Sequence, residues 1–210
     1  MFFRTPVLVF GKGGKGFPLR MFRLKVIVIG PIQSGKTTIS NFLADATESS
    51  GGEYHATQGV RILQFESGNL GTNNQALKAE VELWDCSGDH KRFESCWPAF
   101  QQGAHGVVLV YDPNTAGHVN ELETLFNYFV QQARLDAKNC IILSNPKMSP
   151  RSTSVTLSGT FSRIHQTTVN IDENSNKLRS DFNNFLAGLI SRMRDTIEQE
   201  ELNIMNGLSM

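Results

Sequence analysis

Cysteine, proline and tryptophan are scarce in this chain of 210 residues, with three, seven and two copies respectively. The cysteines, Cys86, Cys96 and Cys140, are odd in number and lack metal-ligand spacing. Neither a disulfide framework nor a zinc finger can therefore organise the fold, and the thiols read as core residues in a reducing compartment. No apolar run approaches the roughly eighteen residues that would span a bilayer. An excess of one charge is also missing. Lys plus Arg and Asp plus Glu stand at 20 each, which removes the electrostatic motive for binding nucleic acid or an anionic membrane. The last segment, NIMNGLSM, holds no cysteine for a prenyl group, so no lipid anchor is expected.

What remains, 40% hydrophobic and 19% charged residues, suffices for one good core and predicts a single soluble α/β unit. Two Gly/Lys-rich loops open the chain. The first, in VLVFGKGGKGFP, sets Gly11, Gly13 and Gly16 at G-x-G-x-x-G spacing, but Phe17 and Pro18 stand where a helix should begin. No acidic residue follows at the distance of a ribose ligand, so this is read as part of a flexible basic arm, residues 1–20. Arg4, Lys12, Lys15 and Arg20 lie in the arm without an acid, yet Pro6 and the glycines make a poor amphipathic helix, which disfavours a transit peptide. Met21, just before a strand, is a candidate for the true start, and the domain is placed at 21–210.

The second loop fits G-x-x-x-x-G-K-[ST] as Gly30, Pro31, Ile32, Gln33, Ser34, Gly35, Lys36 and Thr37, with Thr38 following. It comes after the apolar run Val26 to Ile29 and before TISNFLADA, which can form a helix. Backbone N–H groups of such a loop and helix start converge on phosphate oxygens. Lys36 would neutralise charge, and Thr37 would reach Mg²⁺.

Further along, GVRILQFES and ALKAEVELWD predict paired strands joined by the polar loop GNLGTNNQ. HGVVLVYD and NCIILSN are apolar enough for strands covered on both faces, and SRIHQTTV predicts a last strand. Leu122, Leu125, Phe126, Phe129 and Val130 mark one helix, and Leu178 through Ile197 a long final one. Strands alternating with helices imply a doubly wound, mostly parallel sheet with its ligand beyond the carboxyl ends of the strands.

On these residues the chain resembles the Rab-like small GTPases over about residues 22 to 200. TQG at Thr57 to Gly59 is similar to that family's switch threonine, which reaches Mg²⁺. WDCSGDHKRF resembles its W-D-x-x-G switch, which makes Asp85 the Mg²⁺-side carboxylate, adds Cys86 and Ser87 to the loop, and aims the Gly88 N–H at the γ-phosphate. GAHGVVLVYDPNT is similar to the family's fourth strand. More narrowly, GPIQSGKT, TQGVRILQFE, ELWDCSGD and FESCWPAF resemble the divergent Rab-like subunits of the intraflagellar transport B complex. The resemblance implies GTP or GDP with Mg²⁺ held by Thr37, Thr57 and Asp85, the coiled-coil subunits of that complex as partners, and residence in cytoplasm and cilium.

Two departures from the family bear on chemistry. Where a glutamine should orient the attacking water, the residue is Asp89. An ionised carboxylate about 5 Å from a γ-phosphate oxygen would oppose closure by roughly 3 kcal/mol at an effective dielectric near 20, so hydrolysis should be slow or absent. Asp89 is read as a switch residue facing solvent rather than as a catalytic base working with His90. The base-reading N-K-x-D is replaced by Asn145, Pro146, Lys147 and Met148. A methionine cannot accept from guanine, which costs about 1 to 3 kcal/mol per unmet donor and reduces the preference for guanine over adenine. Asn145 can still touch the base edge and the Lys147 stem its face, while TTVNID is the nearest candidate for the last base loop.

Two readings follow. One is a nucleotide-binding interaction subunit with incidental turnover; the other is a GTP-hydrolysing trafficking switch completed by a partner. Asp89 and Met148 favour the first. A small-nucleotide phosphotransferase ranks third, since W-D-x-x-G suits a sensor of the γ-phosphate. Val60, Leu63, Phe65, Phe93 and Trp97 are candidate partner anchors, with burial in the core the competing reading and the favoured one for Leu63 and Phe65.

Overall fold

The computed structural model describes residues 21–46, 55–68, 70, 77–146, 157 and 159–207. Strand β1, Met21–Ile29, lies at the centre of a six-stranded sheet ordered β2-β3-β1-β4-β5-β6. The other strands are β2, Val60–Ser67, β3, Lys78–Cys86, β4, Gly106–Tyr111, β5, Cys140–Ser144, and β6, His165–Thr168. Only β2 and β3 pair antiparallel; the remaining neighbours run parallel. The chain winds outward on both sides of β1, so the carboxyl ends of β1, β3, β4 and β5 share one edge, where a ligand is expected.

Burial follows the pattern of each strand. Every residue of β4 and β5 is buried, as covering on both faces requires. In β3 the alternation buries Ala79, Val81, Leu83 and Asp85 on one face, so the period of two carries the acid to the side that helix α1, Lys36–Leu43, covers. That layer also holds Leu178, Phe182, Leu186 and Ile190 of α5, Ile171–Gly207, which departs from helical geometry at Asn174. On the opposite layer lie α2, His90–Phe93, α3, Trp97–Gln101, and α4, His118–Phe126, with Trp97, Phe100, Leu122 and Phe126 packed over β4 and β5.

The sequence predicts a single regular helix through Val130, but the structure changes winding after Phe126 into a π-helix over Asn127–Gln132. Phe129 and Val130 are both buried within it. Trp97 is a correction to the anchor reading: it is 7% exposed, with its ring 4.8 Å from that of Tyr128 and 5.3 Å from that of Phe129. It is a core residue. Leu63 and Phe65 are half-buried against the α1 and α5 layer, as the competing reading expects. Among the described residues no helix is long and apolar enough to cross a membrane.

Candidate nucleotide site

The loop after β1 turns back on itself through backbone that side chains resist. A Cβ on Gly30 would fall 1.9 Å from the carbonyl oxygen of Val110, so only glycine lets the loop leave beside β4. Gly35 has φ +94°, and a Cβ there would meet the Asn145 amide nitrogen at 2.1 Å. Gln33, a non-glycine residue, also takes positive φ, at 59°. The curled loop places Lys36, 6% exposed, so that its ammonium donates to the Gly30 and Pro31 carbonyls at 2.8 Å each. Ser34 is fully buried, Pro31 is buried, and Ile32 is 46% exposed at the loop's outer edge.

Helix α1 begins at Lys36 and delivers Thr37 toward the end of β3. The Thr37 hydroxyl donates to Asp85 Oδ2 at 2.8 Å and lies 3.0 Å from the Thr57 hydroxyl. The three residues expected to share a cation therefore meet, although they come from α1, the segment before β2, and β3. Two hydroxyls and a fully buried carboxylate form a hard oxygen set of the kind that suits Mg²⁺. Among the described residues no group of three or more His, Cys, Asp or Glu could hold a metal.

The two switch segments are tied together. The Ser87 N–H donates to the Gly59 carbonyl at 2.8 Å, and a Cβ on Gly59 would touch the Phe93 ring at 3.8 Å. Gly88 lies against the phosphate loop so closely that a Cβ would come 2.7 Å from the backbone of Ile32 and 2.9 Å from Lys36 Nζ. The Cys86 thiol is turned away into the core, donating to Trp84 O at 3.4 Å; burial first, and then the Asp85 charge, pushes its pKa up to about 12. Only its backbone can serve a ligand.

Asp89 has a structural partner. Its carboxylate accepts from the Arg92 N–H at 3.3 Å and caps α2, while its own N–H donates to Ser87 Oγ at 3.2 Å. Its neighbour His90 faces elsewhere, with Nε2 3.3 Å from the Gly30 carbonyl and Nδ1 3.6 Å from Glu121 Oε2. The paired-base arrangement considered for Asp89 and His90 is not the one these contacts describe.

At the base-loop end, Asn145 donates from Nδ2 to the Ser34 carbonyl at 2.9 Å, and its backbone N–H to Tyr111 O at 2.8 Å. Pro146 is half-buried beside it. Lys147 and Met148 lie outside the described residues, as do residues 1–20 and most of GNLGTNNQ. TTVNID divides between the end of β6 and a helix start. Thr167 bonds Asp181, Val169 is buried with its N–H on Ser144 O, and Asn170 Oδ1 accepts from the Glu173 N–H.

Comparison with known proteins agrees with this fold. The family model described as "Ras of Complex, Roc, domain of DAPkinase" matches residues 25–148. The intraflagellar transport protein 22 homologs of Danio rerio and Homo sapiens are each 37% identical over 187 residues, covering 88% of this chain and 100% of theirs. The chain belongs to the intraflagellar transport protein 22 family. Among solved structures, T. brucei IFT22 bound to GDP aligns with a TM-score of 0.61 at 24% identity, covering 80% of this chain and 97% of that one. A GTP-bound T. brucei IFT22/74/81 structure aligns at 0.55 and 22%, covering 81% and 98%. These two show the shared P-loop GTPase fold.

The structure brings Thr37 of the phosphate loop, Thr57 and Asp85 together, and sets beside them Arg61, which the sequence reading does not name as a site residue. Its guanidinium lies 3.6 Å from Asp85 Oδ2 and donates to Asn41 Oδ1 of α1. The pairing of the two strands is legible in the sequence, but the register that sets an arginine near the start of β2 opposite the acid near the end of β3 is not.

Proposed function

We propose that this chain is a nucleotide-binding, Rab-like subunit of the intraflagellar transport B complex. In this reading it works in cytoplasm and cilium by presenting a nucleotide-supported surface to the coiled-coil subunits of that complex. The observation that carries the nucleotide reading is the meeting of Thr37, Thr57 and Asp85 at the mouth of a loop whose Lys36 is already buried there. Membership of the intraflagellar transport protein 22 family, with solved relatives titled as GDP-bound, GTP-bound and assembled with IFT74/81, supports the ligand and the partners.

Thr37, Thr57 and Asp85 would hold Mg²⁺, which when bound offsets phosphate charge. The loop N–H groups and the α1 start would hold the phosphates, and Lys36 would turn from loop carbonyls to phosphate oxygens. The Gly88 N–H, from the second switch, would complete the γ-phosphate contact. Asn145 would brace the loop from the base side. Asp89 spends its carboxylate on a helix cap, which supports the interaction subunit over the hydrolysing switch: the position that would orient water is committed to structure.

Identifying the nucleotide released on denaturing freshly purified protein tests this. Guanine nucleotide supports a retained switch, adenine nucleotide overturns the guanine assignment, and an empty site that takes up neither with Mg²⁺ overturns nucleotide binding. Thr37→Asn should weaken triphosphate affinity in Mg²⁺; unchanged affinity counts against the cation assignment.

A further inference from the structure

Arg61 and Asp85 are direct partners in the antiparallel register of β2 and β3, so their side chains leave the same face of the sheet side by side. Asp85 is fully buried, and the Arg61 side chain is 28% exposed. Nη2 of Arg61 lies 3.6 Å from Asp85 Oδ2, the same oxygen that accepts the Thr37 hydroxyl at 2.8 Å. The same nitrogen donates to Asn41 Oδ1 on α1. A fixed positive charge, anchored on two elements, therefore stands beside the carboxylate of the cation site.

Two consequences follow from Coulomb's law in a buried setting. A carboxylate beside an immobile guanidinium is partly neutralised before any divalent ion arrives, so it attracts that ion less. The same neutralisation also relieves the repulsion between Asp85 and an approaching polyphosphate when the divalent ion is missing. Both effects act in one direction on a single quantity, the ratio of nucleotide affinity with and without Mg²⁺. Arginine suits this position better than lysine: its planar group is rigid, and its Nη2 faces both Asn41 Oδ1 and Asp85 Oδ2.

We propose that Arg61 is a positioning residue that shares Asp85 with the site's divalent cation, so that this protein holds nucleotide with little dependence on Mg²⁺. The inference rests on the nucleotide reading above. It deepens that reading by making a switch-strand side chain part of the cation site. Because Arg61 lies four positions after Thr57, displacement of β2 by a partner would move the guanidinium and the threonine together and so alter how tightly cation and nucleotide are held.

The test is an equilibrium titration of the full chain, freed of bound nucleotide, with fluorescent GDP in millimolar free Mg²⁺ and again in excess chelator. In the unmodified protein, chelation should weaken binding by less than about tenfold. Arg61→Gln, which keeps a polar group for Asn41 but removes the charge, should raise that ratio by about tenfold or more, and Arg61→Lys should restore it in part. A purely structural salt bridge would lower the melting temperature of Arg61→Gln and leave the ratio where it was; that result overturns the proposal. Should Arg61→Gln not fold, the unmodified chain decides: a loss on chelation above about a hundredfold overturns the proposal, and one below about tenfold supports it. Failure to bind GDP in either condition overturns the nucleotide reading itself, whereas binding with an unchanged ratio overturns the role of Arg61 alone.

Discussion

The side-chain amide of Asn145 donates to the Ser34 carbonyl at 2.9 Å, and the space that lets it do so is the missing Cβ of Gly35, which would lie 2.1 Å from the same nitrogen. Base-loop asparagine and phosphate-loop glycine are thus one device. Asn145→Ala should lower stability by about 1 kcal/mol, the worth of an ordinary hydrogen bond, and weaken nucleotide binding. Gly35→Ala should cost more, because it displaces Asn145 and also places a Cβ on backbone at φ +94°. The two losses should not add: in the double variant Gly35→Ala no longer has an amide to expel. Chemical denaturation of the four proteins measures the coupling, and strict additivity would refute the shared mechanism.

Stability should fall in mild acid through two half-buried histidines, His105 and His90. His105 Nδ1 accepts the Lys25 N–H at 2.9 Å, a role only an unprotonated nitrogen can fill. Burial, and then the Lys25 charge, holds its pKa below the usual value, with Glu82 opposing. His90 is lowered in the same way by burial and then by Lys36, against Glu121 and Asp89. Both pKa values are depressed in the fold, so the unfolded chain takes up protons first as pH falls. The stability contributed is fully present above about pH 6.5 and is lost below it, down through the folded pKa values. His105→Asn, whose carbonyl can accept the same N–H without titrating, should flatten the dependence of melting temperature on pH between neutral and mildly acid buffers. An unchanged slope would place the titration elsewhere.

How much of this was legible in the sequence depended on how local the signal was. The phosphate loop could be read because its pattern and its flanking strand and helix lie within a few residues, and the period of two in β3 already pointed Asp85 to one face. The antiparallel register that sets Arg61 opposite Asp85 could not, since it depends on how two strands align, which the alternation within each strand does not fix. Trp97 had no local mark of burial; its place depends on Tyr128 and Phe129, some thirty residues on, and on a π-helix that periodicity does not anticipate. The cap at Asp89 has a local mark, an acid directly before the short helix HKRF.

Basal GTP hydrolysis should be at or below the intrinsic small-GTPase rate, on the order of 10⁻⁴ s⁻¹. Asp89→Gln should not lower it, because Asp89 acts as a cap and not as a base. The loss should appear as local destabilisation of α2, on the order of 1 kcal/mol, and Asp89→Asn, which retains a capping oxygen, should avoid it. Fast single-turnover hydrolysis in the unmodified chain that disappears in Asp89→Gln would make Asp89 catalytic.

The partner surface should depend on Ile62 and not on Trp97. β2 is an edge strand, with β3 on one side only, and Ile62 is 46% exposed between the half-buried Arg61 and Leu63. Among the described residues no strand pairs with the outer edge of β2, and the exposed aliphatic side chain close to the switch threonine offers a helical partner an apolar contact. Ile62→Asp should leave the melting temperature and nucleotide affinity near those of the unmodified chain, since the side chain packs little against its own core, while reducing co-purification with the coiled-coil subunits by at least about tenfold. Trp97→Ala should do the reverse at the level of cause. Removing a side chain 7% exposed and packed at a tilt against two rings costs about 3 to 5 kcal/mol, so any loss of partner would follow loss of fold. Deleting residues 1–20 should affect neither. Full retention of the coiled-coil subunits by a folded Ile62→Asp protein would place the interface away from the β2 edge.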